Sequence, residues 1–235
     1  MNFFRLNLLS GVIAATLMTS ATVSALPVTI TEASAPVVLN FNGFYNSSMI
    51  VIPGLAGRVT LSNFDFNSTT LSGNPATMVT FNYSISNTSQ SPVLTSRISN
   101  FAFDTTPTIL ASAPNSITGV FDTVRVNANQ PNGIGTVETC FTDANCPGGG
   151  SGGVTIGNTG GGTATLYYGG LINSFTIDNA FVRYQSVSCT AGSPCSGSAS
   201  GTVTGGAAVP EPSSYALMSL GIAGLAFAAR YNRKK

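Results

Sequence analysis

Hydrophobic and polar positions alternate with a period of two through the middle of the chain. Val79, Phe81, Tyr83 and Ile85 are separated by Thr80, Asn82, Ser84 and Ser86, the pattern of a strand with one buried face. Val59 and Leu61 lead into Phe64 and Phe66 with a change of parity, which places a bulge near Ser62 and Asn63. Shorter runs at 37–41, 98–103, 120–126, 163–168 and 175–184 read as further strands, punctuated by clusters of Gly, Pro, Asn and Ser. No stretch between 27 and 208 has helical periodicity with caps. The expected fold is all-β, a single β-sandwich or jelly-roll-like domain.

The two ends follow other rules. Arg5 precedes a mostly apolar stretch over 6–18, and Val23 and Ala25 put small residues at −3 and −1 of a cleavage between Ala25 and Leu26. That is the layout of a secretory signal peptide, too short in its apolar part to span a bilayer. At the other end Pro210, Glu211 and Pro212 form a short rigid motif. An uncharged Ala/Leu/Gly-rich segment over 215–229 follows, and Arg230, Arg233, Lys234 and Lys235 close the chain. Counted from Ser213 the apolar part has 17 residues, the lower limit for a transmembrane helix, and its basic end stays cytoplasmic by the positive-inside rule.

Motif, span and basic end, in that order, resemble the PEP-CTERM sorting signal of Gram-negative bacteria. The signal peptide implies export through the Sec translocon and the span transient anchoring in the inner membrane; the resemblance implies recognition by exosortase, a membrane transpeptidase that removes the tail at or near Pro210, Glu211 and Pro212. It also implies a producer of exopolysaccharide, with the protein ending at the cell surface or in the extracellular matrix. An ordinary anchor that is never cut is the plain alternative. The division that follows is 1–25 signal peptide, 26–191 exported β-domain, 192–208 spacer rich in Gly, Ser and Thr, and 209–235 sorting signal.

Cysteines come as two matching pairs, Cys140 with Cys146 and Cys189 with Cys195, each with five residues between. An even count in an exported chain reads as disulfides. Of the three connectivities, local pairing is favoured by proximity, and crossed pairing needs the two loops to adjoin. A four-thiolate zinc site is the rival, but zinc pairs are usually spaced by two to four residues. The strings at 116–121, 140–146 and 181–186 are similar to the cistern family of PEP-CTERM proteins, a resemblance that carries localisation and sorting but no catalytic residue.

Glycine is concentrated at 147–162, nine in sixteen residues, which reads as a flexible loop or a lacing of tight turns. The segment 192–206 reads as a spacer that keeps the motif accessible.

Composition narrows the chemistry. The chain has 235 residues, 7% of them charged, with no His and no Trp. Its net charge of +1 belongs to the termini; residues 26–206 hold four arginines against seven carboxylates, a net −3. Nucleic-acid binding, which needs clustered Lys and Arg, is excluded. Without His there is no Ser-His-Asp or Cys-His mechanism, and no Lys before Lys234 leaves no Ser-Lys dyad or P-loop. A pair of carboxylates working as in a glycosidase remains, with nothing in the sequence to select two of the seven. Asp65 with Asn67, Asp104, Asp122, and Asp178 with Asn179 could contribute calcium ligands, though no Asp-x-Asp-x-Asp loop exists. Tyr45, Tyr167, Tyr168 and Tyr184 could form sugar platforms or fill the core. Arg183 is expected to point outward from its strand or to pair with a buried Asp.

The expected function is a non-enzymatic surface or matrix protein, without cofactor or metal, structural or adhesive in an exopolysaccharide or biofilm matrix. A carbohydrate-binding module acting on that polysaccharide is the alternative, and a carboxylate-pair hydrolase a third.

Overall fold

The computed structural model describes residues 22–23, 27–45, 50–147, 151–195 and 197–204. Among these the chain forms thirteen strands and no helix. They are β1 (Thr22–Val23), β2 (Val28–Thr31), β3 (Val37–Tyr45), β4 (Ile50–Leu71), β5 (Asn74–Asn87), β6 (Val93–Thr106), β7 (Ser116–Ile117), β8 (Thr123–Gln130), β9 (Gly135–Thr142), β10 (Val154–Thr155), β11 (Thr159–Gly169), β12 (Ser174–Cys189) and β13 (Ser198–Thr202). All belong to one sheet, ordered β7-β11-β5-β4-β3-β13-β12-β6-β9-β8, with β1 on β3, β2 on β12 and β10 on β6.

The sheet folds over on itself at β3 and β13, so that β11, β5, β4 and β3 face β12, β6 and β9. Ring contacts bridge the gap: Phe41 to Phe101 at 6.2 Å, Phe66 to Phe175 at 6.1 Å, Phe81 to Phe141 at 6.4 Å, and Tyr168 to Phe175 at 5.4 Å. The all-β expectation holds, in a sandwich-like layout made from one continuous sheet. Alternation chose the buried face as expected. Val79, Phe81, Tyr83 and Ile85 are all core residues of β5.

The bulge is where parity placed it. Register with β5 shifts between Ser62 and Asp65, and Asn63 has φ of 54°. An asparagine tolerates that left-handed conformation better than most residues. The extra residue turns both Leu61 and Phe64 into the core.

Three expectations are corrected. The first concerns the glycine-rich stretch, whose second half is sheet rather than loop. Gly160, Gly161 and Gly162 pair with Ile85, Ser84 and Tyr83 inside β11. A Cβ on Gly162 would lie 1.8 Å from the Thr118 carbonyl oxygen, so the chain at 118–120 comes closer to this strand than any side chain permits. The second concerns 120–126, where the strand starts only at Thr123. Val120 and Phe121 belong to the connection that caps the core, and Phe121 stacks on Tyr83 at 6.1 Å. The third concerns the spacer. The sheet continues past residue 191, because Ser198–Thr202 is a strand paired with β12 and bridged to β3.

Candidate functional site

The most polar buried surface lies on the outer side of the β13-β12-β6-β9-β8 half. Register sets Ser200, Arg183, Asn100, Thr142 and Thr123 opposite one another across these five strands. Neighbours such as Val182, Tyr184, Phe101 and Phe141 take the core side, and alternation turns the polar row the other way. The row is covered. Asn100 Nδ2 donates to the Cys146 carbonyl at 2.6 Å, Arg125 donates to the Ala144 carbonyl through Nε and Nη2, and Asn132 Nδ2 donates to Ser200 Oγ at 3.0 Å. The Cys140–Cys146 loop and the β8–β9 turn therefore lie over the sheet. Beneath them Ala102, Val137, Cys140 and Cys146 make a second small core.

Arg183 stands between Ser200 and Asn100 in this row. It points away from the main core, as expected, but it is 8% exposed rather than solvated. Among the described residues no buried Asp meets it, and its Nε and Nη1 have no hydrogen-bond partner. Burial lowers the pKa of the guanidinium. Asn100 Oδ1, on the opposing residue of β6, is also without a partner.

Both disulfides are the local ones. Cys140 bonds Cys146 and Cys189 bonds Cys195. The first pair is fully buried and the second half-buried. Gln130 Nε2 contacts Cys140 Sγ at 3.3 Å, and the Thr190 amide donates to the Pro92 carbonyl beside the second loop.

The carboxylates act as acceptors for the fold. Glu138 of β9 accepts from the Thr105 amide at 2.7 Å, from Thr105 Oγ1 at 2.8 Å and from the Ile109 amide. Its own amide donates to Asp104 Oδ1 at 2.8 Å, and Asn179 donates to Asp104 Oδ2 at 3.0 Å. Both acids line a shallow hollow with Thr108 and Ile109. Of the calcium candidates the structure brings together Asp104 with Asn179 and Asp65 with Asn67, each pair joined by an amide donating to a carboxylate. Asp178 accepts instead from Thr106 Oγ1, and Asp122 from Thr123 Oγ1. Among the described residues no three of His, Cys, Asp or Glu group closely enough to hold a metal ion. Glu138 went unrecognised in the sequence because its donors come from about thirty residues away, and because β9 carries no clear alternation.

The tyrosines divide. Tyr168 and Tyr184 are fully buried in the main core, so neither is a sugar platform. Among the described residues neither hydroxyl makes a well-formed hydrogen bond, although that of Tyr168 lies near Thr105, and burial raises both phenols well above the usual value. Tyr83 is raised by burial as well, with its hydroxyl donating to the Thr118 carbonyl and accepting from the Phe121 amide. Tyr45 and Tyr167 remain half-buried.

Thr204, the last of the described residues, donates its amide to the Asn40 carbonyl of β3 at 2.8 Å. Ala25, Leu26, Pro210, Glu211 and Pro212 lie outside the described residues. Residues 208–234 match the PEP-CTERM protein-sorting motif. The chain carries a PEP-CTERM tail. That match supports an exosortase substrate, and it implies an exported, membrane-anchored precursor sorted to the cell surface. No curated protein and no solved structure matches the chain.

Proposed function

We propose that this PEP-CTERM protein is a non-enzymatic structural or adhesive component of the exopolysaccharide or biofilm matrix of a Gram-negative bacterium. The observation that carries the reading is the PEP-CTERM match at 208–234, which delivers to the cell surface a domain whose reactive groups serve its own sheet. Glu138 and Asp104 bind backbone and side-chain donors of neighbouring strands. All four cysteines are in disulfides. The similarity of 116–121, 140–146 and 181–186 to the cistern family accords with this assignment. A carbohydrate-binding role would have to rest on Tyr45 and Tyr167, since Tyr168 and Tyr184 are enclosed.

The test is the intact mass and location of the protein in the producing cells. The expected species starts at Leu26, ends near Pro210, lacks four thiol hydrogens, and stays with the washed polysaccharide fraction. A species that keeps 213–235 and sediments with the inner membrane overturns the proposal. Turnover of the polysaccharide by the purified protein, abolished by Asp104→Asn, would overturn the non-enzymatic part.

A further inference from the structure

Two segments from opposite ends of the chain claim the same edge of β3. At its start, β3 pairs in parallel with β1: Thr22 stands opposite Val37, and Val23 opposite Val38. Further along, the same edge takes the C-terminal chain in antiparallel register, with Ser200 opposite Phe44, Val203 opposite Phe41, and the Thr204 amide on the Asn40 carbonyl. Were that register to continue for three more residues, Gly205 would stand opposite Leu39, Gly206 opposite Val38, and Ala207 opposite Val37. Backbone groups of alternate residues point to the same side of a strand. The Asn40 carbonyl faces the C-terminal chain, so Val38, two residues away, presents its amide and carbonyl to that edge too.

Thr22 and Val23 belong to the signal peptide, and cleavage after Ala25 removes them. We propose that the 37–39 edge of β3 is a strand-docking slot for the chain's own residues 205–207, held by β1 in the precursor and taken by an extended β13 once the signal has gone. The inference rests on the reading of 1–25 as a cleaved signal.

Two further observations favour this occupant. The seam between β3 and β12 admits only small residues: a Cβ on Gly201 would lie 2.3 Å from the Asn42 carbonyl oxygen and 2.8 Å from Val182 Cγ2, and Ala199 and Ser200 are fully buried. Gly205, Gly206 and Ala207 are equally small, and since β2 already pairs with β12 at Ile177 and Thr176, they would dock on β3 alone. Every one of them also has an amide to donate, and the first residue without one is Pro210. Docking leaves Ala208 and Val209 between the sheet and Pro210. Removal of the signal at one end thereby fixes where the sorting motif starts at the other.

Amide hydrogen exchange on the full chain tests this. The protein is expressed in a Gram-negative host without exosortase, so that the tail is retained, and is purified in detergent. Wild type is compared with Gly206→Pro, which deletes the amide aimed at the Val38 carbonyl, with Gly206→Ala, and with Ala25→Phe, which blocks cleavage. In the processed wild type and in Gly206→Ala, the Val38 amide should exchange slowly. In processed Gly206→Pro it should exchange at the rate of an unpaired amide, with β5 and β12 still protected. In the signal-retaining Ala25→Phe chain it should be slow with or without Gly206→Pro. Fast exchange at Val38 in the processed wild type overturns the proposal, and so does slow exchange that Gly206→Pro leaves untouched. Intact mass reports independently whether 1–25 has been removed, which separates a failure of the signal reading from a failure of docking.

Discussion

Arg183 and Asn100 stand opposite each other in the β12–β6 ladder, and the Nε and Nη1 of one and the Oδ1 of the other have no hydrogen-bond partner. Two enclosed guanidinium nitrogens lose hydration that no partner among the described residues restores. The lowered pKa of Arg183 reports the same imbalance. Replacing it with an unbranched apolar side chain removes the desolvation penalty and keeps the volume. Arg183→Met should therefore raise stability by about 1 kcal/mol or more, seen as a higher denaturant midpoint at unchanged slope. A lower midpoint would mean that the guanidinium is compensated in solution.

Glu138 gives the opposite expectation. Glu138→Ala leaves the Thr105 and Ile109 amides without their acceptor where β6 meets the following turn. An unsatisfied buried donor costs about 1–3 kcal/mol, so the variant should lose about 2 kcal/mol or more in equilibrium unfolding. Asp65→Asn, at an exposed pair with Asn67, should stay within about 0.5 kcal/mol of wild type. Equal effects of the two would remove Glu138 from its bracing role.

Buried phenols predict alkaline sensitivity. Tyr168 and Tyr184 have folded pKa values raised by burial above the ordinary 10.0. The folded state keeps these protons where the unfolded chain has released them, so the unfolded state binds fewer protons above pH 10. Stability is then constant up to about pH 10 and falls as pH rises further, by at most about 1.4 kcal/mol per pH unit for each tyrosine. Thermal midpoints of Tyr168→Phe/Tyr184→Phe should match or exceed wild type at pH 8 and decline less steeply above pH 10. A parallel decline would assign the alkaline loss to other groups.

The two disulfides should differ in their response to a reductant. Cys140 and Cys146 are enclosed under the β8–β9 turn, whereas Cys189 and Cys195 are half-buried at the end of β12. Under native conditions a thiol reagent should open Cys189–Cys195 first and leave Cys140–Cys146 intact until the domain unfolds. Differential alkylation with peptide mass mapping reads the order. Each bridge closes a short loop and contributes roughly 2 kcal/mol, so losing both should lower the midpoint by more than losing one.

Parts of this molecule were legible without coordinates, for definite reasons. The buried face of β5 and the bulge at Ser62 and Asn63 follow from parity, because successive side chains in a strand must leave opposite sides. Local disulfides follow from the short loop between each pair of cysteines. Other parts were hidden. The glycines at 160–162 resemble a loop until the chain at 118–120 is seen lying against them, and 192–208 resembles a spacer until Ser198–Thr202 is found between β12 and β3.

The sequence alone therefore determined which residues alternate into a core, which cysteines lie near enough to pair, and that a linear PEP-CTERM signal ends the chain, since each depends on neighbours a few residues away. Only the tertiary structure decided that Ser198–Thr202 closes the sheet, that Glu138 braces Thr105 and Ile109, and that two nitrogens of Arg183 are enclosed without a partner among the described residues. Those outcomes depend on groups brought together from tens of residues apart, and packing in three dimensions, not local pattern, selects them.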